Sequence, residues 1–390
     1  MFPLSAFPLS KSCGIIKKRT SMDERMGDMK QGVSIKNLLR MAAAYCAAYM
    51  GAAFISGQET LQFYTAFGWW GIVGMVLVLS VLSYEGLCLH TAIYEHHLSD
   101  PYQALDILCG PRVGKIFTAV ALVLLVANLI SMSAGSGAVM VENYGLPNLL
   151  GRCIVMGGAV LVVWLGLDRI VEILGFVGPV TIALLLFVSI VSLAGALHPL
   201  PEGMAMAPEV VAFKGARTWQ MSAVKYLGSA VLLTLPLYMI AGVRSLSRKE
   251  AQMASFTSLI PLVAVWILVL CAQAGSISVV GTTEIPNVML ARLHTPFLAP
   301  VFGACILLGT FCGMTIILWS LVRKVAEEGT RKYRVLTASI GAVVLVASGL
   351  LPFSRILNLT FSVAFWIGFI LLGLMIAGRI RMKRQGKEQT

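Results

Sequence analysis

Glu59 ends the stretch Gly51-Ala52-Ala53-Phe54-Ile55-Ser56-Gly57-Gln58-Glu59, which interrupts an apolar run from about Leu38 to Trp70. A helix needs about 20 residues to cross a bilayer, and this run has about 30. Its middle holds two glycines, a serine, an amide and a carboxyl group. Glycine weakens a helix interior by about 1 kcal/mol, and a carboxylate at membrane depth is costly and marks function. The stretch reads as a broken helix, with one half before Gly51 and one after Gly57. Non-helical backbone is tolerated at that depth where it lines a cavity or is buried in protein. The chemistry on offer is binding: free N–H groups for an anion, free carbonyls for a cation, and a carboxyl group for a proton or an ammonium. The structural alternative is a kinked helix with a buried, satisfied Glu59.

Placing such a break inside a membrane requires neighbouring spans, and the chain supplies them. The first covers about 37–68 and the second about 69–96, opened by the aromatic anchor Gly68-Trp69-Trp70. Further spans are read at about 113–142, 151–167, 170–196, 218–243, 250–275, 297–325, 333–350 and 354–378. A polar segment with Pro101 and Pro111 follows span 2, and a proline-rich loop, His198-Pro199-Leu200-Pro201-Glu202, follows span 5. Glu284-Ile285-Pro286 to Leu293 reads as a short helix between spans 7 and 8. Three further polar features lie inside spans. Glu85 follows Tyr84 in span 2. Asn128, Ser131, Ser133 and Ser136 run down span 3, with Ser133 and Ser136 on one face. Lys225-Tyr226-Leu227-Gly228-Ser229-Ala230, followed by Pro236, opens span 6.

The chain has 390 residues, 58% hydrophobic and 12% charged, with a mean hydropathy of +0.84. Soluble domains carry about 25% charged residues, so this is an all-α polytopic membrane protein whose principal partner is the lipid bilayer. Residues 34–384 form one membrane domain. Residues 1–33 read as a disordered cytoplasmic tail or the product of an early start codon, and 385–390 as a cytoplasmic tail. The net charge of +12 reflects cytoplasmic loops and not nucleic-acid binding. Ten spans put both termini on one side, with 24 of the 30 Lys and Arg residues; Arg152, Lys214, Arg217, Arg292 and Arg355 lie opposite, and Lys225 is inside a span. The termini are therefore read as cytoplasmic. None of the eight cysteines forms a C-x-x-C pair, so they read as small packing residues. No H-E-x-x-H, nucleophile elbow, Ser–His–Asp set or Walker-type phosphate loop is present, which argues against an enzyme and against an ATP-driven machine. No cofactor is implied beyond a coupling ion.

On Gly51-x-x-Phe54-x-Ser56-Gly57-Gln58-Glu59 the chain, from about Ser34 to Arg384, is similar to the YkvI-like family of bacterial membrane proteins, in the amino acid–polyamine–organocation superfamily. It departs from that pattern where Ala52 or Ala53 replaces a second glycine. The resemblance implies a LeuT-type fold in the bacterial cell membrane, with two inverted five-helix repeats, residues 36–196 and 217–379, and breaks in spans 1 and 6. The second break falls on Lys225–Ala230, with close helix packing as the alternative reading of its glycine and serine. A small-molecule substrate is then expected at Gly51, Phe54, Ser56, Gly57, Gln58, Glu59, Asn128, Ser131, Tyr226, Gly228 and Ser229. The Gly57 and Gln58 amides suit a carboxylate, and the carbonyls ending the first half suit an ammonium. The resemblance also implies a candidate Na+ site at Ala52, Ala53 and Thr310, although Gly309 stands where relatives carry a first hydroxyl. A proton carried by Glu59, Glu85 or Lys225 is the other coupling scheme.

These readings point to a secondary transporter of an amino acid or related compound, working by alternating access and driven by Na+ or H+. A nutrient receptor on the same fold is the alternative. Motifs do not separate the two, and they leave the oligomeric state open.

Overall fold

A computed structural model of the chain describes residues 52–96, 98, 103–165, 170–244, 247–323, 325–327 and 329–388, with Val33, Ile35 and Leu38. The described residues are helical or in turns, without strands. Most of the first half of span 1, the N-terminal tail and Gly51 lie outside them.

Span 1 is interrupted, but at Gly57 and not over the whole of Gly51–Gly57: Ala52–Ser56, expected to lie in the break, is helical. Helix α1, Ala52–Ser56, stops at Gly57, and α2, Gln58–Phe63, starts directly after it. Gly57 has φ 85°, in the left-handed region, which costs glycine least. A short 3-10 turn, Thr65–Phe67, leads through Gly68 into α3, Trp69–Glu95. Helix α4, Gln103–Cys109, occupies the segment read as polar loop. Helix α5, Pro111–Tyr144, has proline in its first turn and Gly145 beyond its end, the usual asymmetry of helix termini. Helices α6, Asn148–Leu165, and α7, Ile170–Ala194, complete the first half.

The second half begins with α8, Leu200–Val210, where the sequence suggested a loop. Pro201 falls in the first turn, where an N–H has no intrahelical partner anyway, and Pro208 lies inside the helix near its end. Helix α9, Trp219–Arg244, follows, then α10, Arg248–Gly275. Ser247 caps α10, accepting from the Glu250 amide at 3.1 Å. A one-turn helix α11, Ile277–Val280, leads to α12, Pro286–His294, the predicted short helix. Helices α13, Ala299–Arg323, α14, Arg331–Ala347, and α15, Phe353–Glu388, finish the chain. Helix α15 continues ten residues past the expected end of span 10, through Arg and Lys residues that favour helix.

The expected break in span 6 is absent: α9 is one uninterrupted helix through Lys225–Ala230 and Pro236. Gly228 and Ser229 are packing residues. A Cβ at Gly228 would strike the Phe365 backbone, and one at Gly368 would strike the Gly228 carbonyl. Ser229 Oγ bonds within its own helix, to the Lys225 carbonyl at 2.9 Å, and across to the Phe361 carbonyl at 2.6 Å. Small residues at this seam let α9 and α15 approach closely.

Among the described residues, five helices are long and apolar enough to cross a membrane: within α3, α5, α10, α13 and α15. Asn148–Trp164 and Ile182–Ala194 are shorter apolar helices. Helix α9 packs along α3 and α15, α10 along α3, and α5 along α6 and α13. Apolar side chains such as Val73, Val76 and Leu77 face outward, as lipid-facing surface requires. The chain is a multi-pass membrane protein.

Candidate functional site

The break in span 1 is held by two amides from other helices. The Gln273 side chain in α10 donates to the Gly57 carbonyl at 3.0 Å and to Asn287 Oδ1 at 3.1 Å, and accepts from Thr65 Oγ1 at 2.8 Å. Asn287 in α12 donates to the Ile55 carbonyl at 3.0 Å. Any side chain at Gly57 would run into these two amides, so glycine is required there by both φ and space. The N–H groups are also occupied: Gly57 donates to the Phe54 carbonyl at 3.0 Å, and Gln58 to Ser56 Oγ at 3.3 Å. The groups that the sequence offered to a zwitterion already have partners within the chain.

The expected residues divide into those at the break and those elsewhere. Phe54, Ser56 and Gln58 are fully buried. In the orientation that satisfies its amide, Gln58 donates to the Thr283 and Glu284 carbonyls at 3.2 Å and accepts from Gln62 at 3.0 Å, so it anchors the segment before α12. Glu59 is half-buried between fully buried Gln58 and Thr60, and Tyr226 Oη in α9 donates to its Oε2 at 3.2 Å. Asn128 is half-buried on α5. Ser131 pairs with Thr360 of α15 at 3.1 Å and Ser133 with Ser348 at 3.0 Å, which makes these serines links between helices. Gly51 and the side chains of Ala52 and Ala53 lie outside the described residues.

Lys225 and Glu59 do not pair. Lys225 Nζ donates to the Gly215 carbonyl at 2.8 Å and to Asn358 Oδ1, with the Phe63 ring 5.9 Å away. Among the described residues the ion pairs are His198–Glu202 and Arg248–Glu95. Thr310 Oγ1 donates to the Ile306 carbonyl at 2.7 Å, and Gly309 faces Ile55 of α1. Glu85 is fully buried, and neither carboxyl oxygen has a hydrogen-bond partner among the described residues. Nearby on the same helix, Cys88 Sγ accepts from Arg379 Nη1 at 3.1 Å, and Arg379 sits over the Tyr84 ring.

Several site residues are absent from the sequence reading. Trp266 of α10 donates to Thr60 Oγ1 at 2.9 Å. Its ring meets Phe54 at 5.2 Å, Tyr64 at 5.5 Å and Tyr226 at 5.7 Å. Tyr226 also meets Phe63, Tyr64 and Phe361 at 5.2–5.3 Å. Aromatic residues in apolar spans read as plain core, and only the fold gathers them beside a carboxyl group. Two acidic residues cap this end of the bundle. Glu142 of α5 accepts from the Glu284 and Ile285 amides at 2.5 and 2.8 Å. Glu284 accepts from the Ser354 amide and hydroxyl, each at 2.7 Å. Neither contact has a local signal in the sequence, because Glu142 lies inside α5 and each carboxylate meets a helix start 70 or more residues away.

No family model matches the chain. It is 28% identical over 144 residues to the uncharacterised membrane protein YkvI of Bacillus subtilis, across 37% of this chain and 41% of that protein. The match thus spans less than half of that relative. Three solved structures share the fold. A nucleobase-cation-symport-1 family transporter, Mhp1, closed around bromovinylhydantoin, has a TM-score of 0.58 at 18% identity, covering 86% of this chain and 77% of that one. A Na+-coupled sialic acid symporter in an outward-open, substrate-bound state has 0.57 at 11%, covering 87% and 78%. A manganese transporter of Eremococcus coleocola has 0.53 at 15%, covering 90% and 82%. The fold is therefore the one these membrane transporters share.

Proposed function

We propose that the chain is a secondary transporter of a small organic solute, an amino acid or related compound, working by alternating access. The observation that carries this reading is the interruption at Gly57. An intramembrane break fixed by side-chain amides from α10 and α12, beside a half-buried carboxyl group, has no use in a passive scaffold. It suits a solute site between two moving halves. The reading includes ten spans in two inverted repeats, with span 6 intact, and cytoplasmic termini in a bacterial cell membrane, supported by the charge asymmetry. Either Na+ or H+ supplies the driving force. Thr310 with α1 carbonyls is the Na+ candidate, and Glu59, Glu85 and Lys225 are the H+ candidates. Uptake of labelled solutes into proteoliposomes, under imposed Na+ and pH gradients, tests the proposal. Accumulation above equilibrium supports it, and binding without flux places the chain with the receptors.

A further inference from the structure

We propose that Glu59 is the counter-charge for a cationic group of the substrate, an ammonium or quaternary ammonium on an apolar skeleton, and that the substrate needs no carboxylate of its own. This rests on the transport reading and narrows its substrate class.

Four observations lead there. First, Glu59 is half-buried, while Gln58, Thr60 and Leu61 beside it are fully buried. Second, the described residues give Glu59 no cation. Its hydrogen-bond partner among the described residues is the neutral hydroxyl of Tyr226, and Lys225 is held by Gly215 and Asn358. A carboxylate can accept about four hydrogen bonds, so most of its capacity remains for a ligand. Third, the rings of Phe63, Tyr64, Phe361 and Trp266 gather around Tyr226. These rings are buried and packed on one another, so they form an apolar wall beside the Glu59–Tyr226 bond, where water is excluded and the attraction between a carboxylate and a cation is stronger. Fourth, nothing among the described residues at the break is arranged for an anion. The Gly57 and Gln58 amides are occupied, and α2 is a single short piece of six residues. The free carbonyls that would hold an ammonium are likewise taken by Gln273 and Asn287, which leaves Glu59 as the group for positive charge. A divalent metal fits poorly: hard cations want six or more oxygen ligands, and no group of three His, Cys, Asp or Glu gathers among the described residues.

The test compares matched pairs on the full-length protein: phenethylamine against phenylalanine, isoamylamine against leucine, and choline as a permanent cation. Binding is measured in detergent by calorimetry or ligand-induced thermal shift, and uptake in proteoliposomes. We expect at least one amine or choline to bind about tenfold or more tightly than its amino-acid counterpart or, for choline, than glycine. Glu59→Gln should lose that preference, and Glu59→Asp should keep part of it. Gly373→Ala, on an exposed position of α15 with open space around it, serves as the unaffected control. If Glu59→Gln fails to fold, the selectivity of the wild-type protein decides. Amino acids binding as well as their amines, or no cation binding at all, overturns the inference. The two readings fail separately: amine binding without flux keeps the cation site and removes transport, whereas uptake of amino acids but not amines keeps transport and removes the cation site.

Discussion

Tyr226 donates its hydroxyl to the Glu59 carboxyl group at 3.2 Å, joining α9 to the short helix that follows the break in span 1. The bond ties the two halves of the chain at the point where substrate is proposed to sit. Tyr226→Phe removes the donor and keeps the ring packed against Phe63, Tyr64, Trp266 and Phe361. A hydrogen bond to a charged group is worth about 1.5–3 kcal/mol. The variant should therefore bind or carry its substrate about tenfold less well, with a melting temperature within a few degrees of wild type. Wild-type behaviour of Tyr226→Phe, with loss only in Tyr226→Ala, would mean that the ring, and not the hydroxyl, matters.

The α9–α15 seam gives a stability prediction with an internal control. A methyl group at Gly368 would strike the Gly228 carbonyl, whereas Gly373, further along the same helix, has nothing within reach of an added Cβ. Overpacking a tight contact costs about 1–3 kcal/mol. Gly368→Ala should lower the unfolding temperature measurably, while Gly373→Ala should leave it unchanged or raise it slightly. Equal melting curves for the two would show that the seam is loose.

The same seam shows where sequence and structure part. The break at Gly57 was legible because glycine, serine, amide and carboxyl group crowd an apolar run too long for one span. The short helix α12 and the limits of most long helices were legible from hydropathy and proline. The segment Lys225–Ala230 carries the same residue types, yet there they serve close packing and not a break. Composition cannot tell these uses apart, because the answer lies in Phe365 and Gly368, over 130 residues away. For the same reason Gln273 and Asn287 went unread: an amide near a helix end looks ordinary until its partner, the Gly57 or Ile55 carbonyl, is known.

Those two amides make the break dependent on distant residues. Gln273→Leu leaves the Thr65 hydroxyl and Asn287 Oδ1 without the Gln273 side chain and the Gly57 carbonyl with the Leu61 amide alone, and Asn287→Leu takes the side-chain donor from the Ile55 carbonyl. An orphaned buried polar group costs about 1–3 kcal/mol. Each variant should be destabilised by roughly that amount per group lost. Because the two side chains are bonded to each other, the double variant should lose less than the sum of the singles. Additive losses in a thermal or denaturant series would separate them into independent props.

Coupling can be divided between Glu85 and Thr310. Glu85 is buried without a hydrogen-bond partner among the described residues, and an uncompensated charge in such a place costs several kcal/mol. Glu85→Gln keeps the shape and removes the ability to exchange a proton. The variant should fold as well as wild type and retain substrate exchange across the membrane. If Glu85 carries the coupling proton, uptake driven by a pH gradient should disappear. Should Thr310→Ala instead abolish Na+-driven uptake while Glu85→Gln changes nothing, the coupling ion is sodium.

The last prediction concerns the two carboxyl groups at the end of the bundle, which lies outside in the proposed orientation. Glu142 accepts from two amides at the start of α12, and Glu284 from the Ser354 amide and hydroxyl at the start of α15. Negative charge is favoured at helix N-termini by about 0.3–1 kcal/mol, and by up to about 2 where partly buried. The pair thus links α5 to α12 and α12 to α15. Helix α12 also carries Asn287, which holds the Ile55 carbonyl, and the Thr283 and Glu284 carbonyls cover Gln58. Weakening the link should lift this cover from the break without disturbing Glu59 directly. A cysteine placed at Gln58, in a background without the native cysteines, should react slowly with a membrane-impermeant maleimide added outside. Adding Glu142→Gln or Glu284→Gln should speed that reaction several-fold. A gain seen only with reagent added from the cytoplasmic side would reverse the orientation. No gain from either side would mean that the two carboxyl groups brace α12 and α15 without controlling access to the break.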